Sequence, residues 1–136
     1  MIIVYIPGCW DLLHTGHLNA LERARTYGDR LIVGVESDGL IYAEKGRHPA
    51  INQDDRCRML QALRCVDAAI VFTSFDYAGI LRNLNPDVLI FGNSHTQERH
   101  QAAIDYMKDK GRRVVRLPYT AGISTSEILE RIKHDR

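Results

Sequence analysis

Two histidines separated by a Thr-Gly pair are the residues most able to do chemistry. His14 and His17 lie in GCWDLLHTGH, directly after a short apolar run that predicts a buried strand. They could be metal ligands, acid–base catalysts or anion-binding residues. They could also be ordinary residues, with His17 capping a helix and His14 lying in a loop. Zinc pairs on a helix usually have i, i+4 spacing and further ligands, which argues against a metal. A helix N-terminus presents free N–H groups, and Gly16 permits close approach, so the set favours a phosphate.

A second candidate anion site is the stretch TAGISTSEI near the end of the chain. Ser124 and Glu127 have the spacing of a capping box, which alone would explain one hydroxyl. Three consecutive hydroxyl residues at a helix start exceed what capping needs, and the helix dipole there favours a phosphate. We therefore expect a second phosphate contact at this helix start.

A third cluster, EKGRHP, places Lys45 beside Gly46 in a segment expected to be a loop with some helical content. Surface lysines are most often simply solvated, yet this one is the best candidate for a phosphate clamp. Asn52, with Asp55 three residues on, predicts the start of the next helix. Neither a P-loop nor a dinucleotide-binding glycine pattern occurs in the sequence.

The elements that must position these clusters alternate between strand and helix. Five short apolar runs, IIVYI, RLIVGVE, DAAIVF, DVLIFG and RRVVRLP, are separated by helical spacings. This order predicts an α/β fold with a doubly wound, five-stranded parallel sheet, in a single domain of 136 residues. Ligands of such sheets bind at the carboxyl ends of the strands, so one crevice is expected beyond strands one, two, four and five. The segments that fall there are Gly8–His17, Glu36–Arg47, Gly92–His95 and Pro118–Ser126.

Composition narrows the classes of partner. Eighteen Lys and Arg against 17 Asp and Glu give a net charge of +1, without the basic excess of nucleic-acid binders. The three cysteines have no zinc or CxxC spacing and indicate reduced thiols in a cytoplasmic protein. The apolar opening MIIVYIPG is typical of a strand rather than a signal peptide, and no run approaches the ~20 apolar residues of a membrane span.

Taken together in order and spacing, GCWDLLHTGH, KGR before DDRCRMLQALRCVDAAIV, and GISTS resemble the cytidylyltransferase-like nucleotidyltransferases. The likeness is to the glycerol-3-phosphate cytidylyltransferase group and the related choline- and ethanolamine-phosphate cytidylyltransferases. It implies a Rossmann-like domain, usually a homodimer, in which an acceptor phosphate attacks the α-phosphorus of a nucleotide and pyrophosphate leaves. Mg²⁺ would assist and be held mainly by the triphosphate, with no protein side chain as ligand.

This resemblance implies transfer of CMP from CTP to a small phosphorylated alcohol or polyol, with glycerol 3-phosphate as the first expectation. One alternative is an ATP-dependent adenylyltransferase of the same fold that acts on a sugar phosphate or FMN. A second is a nucleotide-binding regulator without catalysis.

The resemblance also implies roles for individual positions. The catalytic residues would be His14, His17 and Lys45. The nucleotide-binding residues would be Gly8, Cys9, Trp10, Asp11, Gly16, Arg64, Gly92, Asn93, Gly122, Ile123, Ser124, Thr125 and Ser126. The acceptor-binding residues would be Asp38, Arg56 and Tyr119.

Four departures from the family pattern concern the substrates more than the reaction. Cys9 and Trp10 stand where the glycerol-phosphate enzymes usually have Thr and Phe, and Lys45 stands where they tend to have two lysines. GNSH replaces a more acidic stretch that helps to seat the nucleotide. Tyr119 replaces an arginine, which removes a charge-assisted hydrogen bond worth roughly 1.5–3 kcal/mol. Arg47 or Arg116 could compensate.

Overall fold

The computed structural model describes residues 1–92, 97–118 and 123–134. The strands are β1 (Ile3–Gly8), β2 (Arg30–Glu36), β3 (Ala68–Phe72), β4 (Val88–Gly92) and β5 (Arg113–Leu117). The helices are α1 (Thr15–Arg25), α2 (Asp38–Lys45), α3 (Gln53–Gln61), α4 (Tyr77–Leu84), α5 (Gln97–Asp109) and α6 (Thr125–His134). None of these described helices is long and apolar enough to cross a bilayer.

The five strands form one parallel sheet in the order β3-β2-β1-β4-β5. This confirms the predicted doubly wound, Rossmann-like α/β fold. The strand order reverses between β1 and β4, so the connections after these two strands leave toward opposite sides. In this fold class, ligands bind at such a reversal, beyond the carboxyl ends of the strands.

Apolar side chains alternate between the two faces of the sheet and build two cores. On one face, Leu21 of α1 and Leu60 of α3 pack on β1 and β2 and are fully buried. On the other, Leu81 of α4 and Met107 of α5 pack against Phe91 of β4. Because both faces are covered, the strands are buried on both sides, which explains their continuous apolar runs.

The segment after β2 differs from the expected loop. Residues Asp38–Lys45 form helix α2, where the Ser37 hydroxyl accepts from the Leu40 N–H at 3.2 Å and Gly46, with φ of 70°, ends the helix. The helix has eight residues and buries only Ile41, so its apolar periodicity is too weak to stand out in the sequence. Lys45 is therefore the last residue of a helix rather than part of a loop.

Candidate active site

His14 and His17 cap helix α1 reciprocally. His14 is the N-cap, and its Nδ1 accepts from the N–H groups of Gly16 at 3.1 Å and His17 at 3.4 Å. His17 Nδ1 in turn accepts from the His14 N–H at 3.2 Å. Since both Nδ1 atoms are acceptors, each neutral ring carries its hydrogen on Nε2. The rings stack with centroids 3.8 Å apart, so two Nε2–H donors lie side by side at a helix N-terminus.

Both imidazoles are held neutral. Burial lowers the pKa of His17 from 6.5 to about 4; the neighbouring His14 adds to this, while Asp11 opposes it. Burial also lowers the pKa of His14, against the opposing charge of Glu127. At neutral pH the pair can therefore donate hydrogen bonds to an anion without first losing or gaining a proton, which suits charge stabilisation rather than acid–base catalysis.

This neutral pair predicts a loss of stability in acid. Between pH 6.5 and about 4, the unfolded chain binds a proton at His17 that the folded chain excludes, so the free energy of unfolding falls as pH falls. Urea unfolding across this window measures the slope. We expect a shallower slope in His17→Gln, because Gln at the third helical position can keep the capping box but cannot titrate. Equal slopes in both proteins would contradict the assignment.

The start of α6 meets the start of α1. The Thr125 hydroxyl donates to the Asp11 carbonyl at 2.7 Å, and Ser124 Oγ accepts from the Glu127 N–H at 3.1 Å, as the capping box predicted. A Cβ at Gly16 would lie 3.2 Å from Ile123 Cγ2 and 2.9 Å from His14 Cε1, so only glycine fits without displacement. Two helix N-termini thus converge on the two histidines, as the sequence led us to expect.

Asp11 ties this region to the loop that follows α2. Its buried carboxylate accepts from the N–H groups of Leu12 at 3.1 Å, Ile51 at 2.9 Å and Ala50 at 2.8 Å. With its carbonyl bonded to α6, Asp11 joins three segments of chain. A carboxylate used in this way positions the site rather than contacting a substrate.

Gly8 and Trp10 form one packing unit. Trp10 has a φ of 60°, is buried, and donates from Nε1 to the Gly34 carbonyl at 2.9 Å. A Cβ at Gly8 would come within 2.8 Å of the indole ring, so the glycine makes room for it. The indole edge faces the His17 ring, with centroids 5.4 Å apart. Trp10, expected at the nucleotide, thus supports the histidine from the core.

Arg56, expected to bind the acceptor, is fully buried and bonded to groups of its own chain. Its guanidinium donates to the carbonyls of Ile51 at 2.8 Å, Cys9 at 2.7 Å and Glu36 at 2.8 Å. It also pairs with the Asp38 carboxylate at 2.7 Å. These bonds join the carboxyl ends of β1 and β2 to the helices α2 and α3. Arg56 and Asp38 therefore bind each other and hold the crevice in shape.

The other predicted site residues lie in three places: at the carboxyl ends of the strands, at their amino ends, and in the first turn of α6. Lys45 is exposed at the end of α2. Burial raises the pKa values of Cys9 and Glu36, and the charge of Lys45 opposes this rise, which places it near the ends of β1 and β2. Gly92 is the last residue of β4, so it also lies at the carboxyl ends of the strands. Arg64 is exposed after α3, near Asp67, which exchanges hydrogen bonds with Leu31 at the start of β2. The structure thus places Arg64 near the amino ends of the strands, away from the carboxyl ends where the histidines lie. Ser126 is exposed in the first turn of α6, while Asn93, Tyr119 and Gly122 lie outside the described residues.

The sequence analysis missed two charged residues near the carboxyl ends of the strands. Glu36, the last residue of β2, is only 3% exposed, and Arg99 on α5 pairs with Glu44 of α2 at 2.7 Å. Burial raises the pKa of Glu36 to about 7; Glu44 adds to this rise, and Lys45 and Arg99 oppose it. A single acidic residue that ends an otherwise apolar strand was the available signal.

Metal binding by the protein itself finds no support in the part of the chain that the structure describes. There, no group of three or more His, Cys, Asp or Glu side chains could hold a metal ion. The donors that do converge, imidazole N–H groups and helix N-termini, suit an anion.

Comparison with known proteins agrees with this geometry. The sequence profile of cytidylyltransferase-like proteins matches residues 5–131. The chain belongs to the cytidylyltransferase-like family. This confirms the resemblance and the prediction of a nucleotidyltransferase domain.

Curated relatives of this cytidylyltransferase-like chain include bifunctional proteins named HldE. That of Geotalea uraniireducens is 37% identical over 132 residues, 96% of this chain and 27% of the relative. That of Hyphomonas neptunium is 38% identical over 130 residues, 95% of this chain and 26% of the relative. The chain thus spans about a quarter of the length of these relatives.

Among solved structures, the lipopolysaccharide core biosynthesis protein of Thermoplasma volcanium GSS1 is similar to this cytidylyltransferase-like chain. The TM-score is 0.75 with 27% identity, over 88% of this chain and 98% of that one. TmcAL of Thermotoga maritima, solved with bound alpha-thio ATP, has a TM-score of 0.67 with 14% identity, over 100% of this chain and 51% of that one. The second likeness concerns the fold alone.

Proposed function

We propose that this chain transfers a nucleotidyl group from a nucleoside triphosphate to the phosphate of a sugar phosphate or related polyol phosphate. The observation that carries the proposal is the stacked pair of neutral imidazoles, His14 and His17, at the meeting point of two helix N-termini. Such a cluster of preorganised N–H donors matches the negative charge on the phosphoryl oxygens during the attack on phosphorus.

The transfer needs positioning and charge stabilisation rather than a protein nucleophile. An acceptor phosphate oxygen attacks the α-phosphorus in line, the bond from that phosphorus to the bridging oxygen breaks, and pyrophosphate leaves. The Nε2–H groups of His14 and His17 donate to the transferred phosphate. The N-terminus of α6 receives the departing phosphates, and Lys45, on its short helix above the crevice, holds the phosphates from the other side.

Magnesium fits this arrangement as a companion of the triphosphate. Mg²⁺ keeps several waters and binds substrate phosphates readily, so it requires no side-chain cage. It would neutralise charge on the departing pyrophosphate, while the histidines and helix N-termini bind the remaining oxygens. The homodimer implied by the family resemblance stays a prediction.

The comparisons favour a sugar phosphate over glycerol 3-phosphate as the acceptor. The relatives described above are named HldE rather than glycerol-3-phosphate cytidylyltransferase. The Thermoplasma protein takes part in lipopolysaccharide core biosynthesis, and such cores are built from sugars. Both points support a sugar phosphate as the acceptor, and we therefore prefer the alternative of adenylyl transfer from ATP to a sugar phosphate over CTP with glycerol 3-phosphate.

A substrate screen tests this proposal. The protein is incubated with Mg²⁺, each of ATP and CTP, and a panel of sugar 1-phosphates with glycerol 3-phosphate and FMN, while pyrophosphate is followed. We expect release with ATP and a sugar phosphate, and a larger rise in melting temperature with ATP than with CTP, because the better ligand stabilises the folded state more. Nucleotide-induced stabilisation without turnover on any acceptor would overturn the proposal and support the regulator.

A further inference from the structure

We infer that the Glu36 carboxyl group accepts a hydrogen bond from a hydroxyl group of the acceptor, and so selects a neutral polyol or sugar over an aminoalkyl phosphate. The inference rests on the proposed function, since it concerns the second substrate of that reaction. It assigns a specificity-determining role to a residue of this chain that the family motifs do not include.

The two faces of the sheet have different tasks in an in-line displacement. Helix α1, which presents the histidines, lies on the face of Leu21 and Val33, and the start of α6 bonds to Asp11 just before α1. Glu36 follows Ile32 at even spacing and therefore points to the other face, where it interacts with Tyr77 of α4 and Arg99 of α5. The nucleophile must enter opposite the leaving group. Because the pyrophosphate leaves toward α1 and α6, the acceptor enters from the face of Glu36.

The carboxyl group of Glu36 has a free acceptor oxygen there. It is only 3% exposed, and in the described part of the chain no N–H or O–H group donates to its Oε2. The Glu44 carboxyl can bond to it only when one of the two acids holds a proton. A buried carboxyl oxygen without a donor is costly, so a donor supplied by a bound substrate would be favourable.

The charge around Glu36 indicates which donor that is. Glu36 and Glu44 are balanced by Arg99, which pairs with Glu44 at 2.7 Å, and by Lys45. When both acids are ionised the two bases balance them, and when Glu36, whose pKa burial raises to about 7, holds a proton the cluster is positive, so an ammonium group finds no net attraction there. A neutral hydroxyl group does not depend on this charge balance and can donate to Glu36. The local charge therefore favours a polyol or sugar.

Equilibrium binding of three probes tests the inference. Calorimetry with a non-hydrolysable α,β-methylene analogue of ATP present compares glucose 1-phosphate, glycerol 3-phosphate and 2-aminoethyl phosphate. We expect the wild type to bind at least one of the first two about tenfold more tightly than 2-aminoethyl phosphate, the effect of one hydrogen bond to a charged group. In Glu36→Leu, which removes both acceptor oxygens, the hydroxyl probe loses this hydrogen bond, and the ratio should fall below about threefold.

Glu22→Gln, an exposed change on α1, is the matched control and should keep the wild-type ratio. Glu36→Ala, which also lacks an acceptor oxygen, serves as the second variant if Glu36→Leu does not fold. An unchanged ratio in the folded variant, a wild type that prefers 2-aminoethyl phosphate, or a wild type that binds none of the probes would each overturn the inference. Selective binding without pyrophosphate release in the substrate screen would instead count against the proposed function alone.

Discussion

In His14→Asn, the rate of nucleotidyl transfer is expected to fall by about 10²–10³-fold, the usual effect of removing one preorganised donor. Asparagine is among the best N-cap residues, so its side chain can still accept from the N–H groups of Gly16 and His17. The Nε2–H donor disappears while the helix cap remains. Steady-state pyrophosphate release gives the rate, and thermal unfolding reports the fold.

The companion variant His17→Gln is expected to lose rate to a similar extent for the same reason. Glutamine at the third helical position can reach back to the N-cap N–H and so preserve the capping box. His134→Gln, on the exposed last turn of α6, is the control and should turn over normally. If either site variant kept a near-normal rate with an intact fold, the histidines would be helix caps only.

The second large effect is expected on stability. Arg56→Met should lower the free energy of unfolding by about 3 kcal/mol or more, because three carbonyls lose their donor at a cost of about 1–3 kcal/mol each. The change leaves the carbonyls of Ile51, Cys9 and Glu36 without their donor and the Asp38 carboxylate unpaired. Urea unfolding measures the difference.

The control for this change is Arg58→Met, which removes an exposed arginine two residues along the same helix. It should alter the free energy of unfolding by no more than about 0.5 kcal/mol. A small effect in Arg56→Met, with substrate binding lost instead, would return Arg56 to the acceptor-binding role that the family resemblance implies.

Local chemistry explains where prediction from the sequence worked. Asn52 and Ser124 were placed at helix starts, and both side chains accept from the N–H group three residues on, at 2.9 Å and 3.1 Å. These signals depend only on neighbours along the chain, as do the apolar runs of the five strands. The parallel order of the sheet followed because helices separate consecutive strands, and such crossovers have one favoured hand.

Long-range contacts explain where prediction from the sequence failed. Nothing near Arg56 in the sequence shows that its guanidinium reaches Cys9, 47 residues away, so the motif alone made it a substrate ligand. Trp10 was likewise placed at the nucleotide, although its indole nitrogen bonds to Gly34, 24 residues away. Helix α2 was predicted only as a loop with some helical content, because its stability comes from caps and a single buried side chain rather than from an apolar stripe.

The amino-acid sequence alone therefore determined the fold class, the family and the starts of helices α1 and α6, because each depends on residue type and short-range spacing. Only the tertiary structure decided which of the candidate residues lie open at the site and which are bonded within the protein. The neutral state of His17 depends on its burial, and the open oxygen of Glu36 depends on which helices cover the end of β2. Both are consequences of packing between segments far apart in the chain, which no local pattern records.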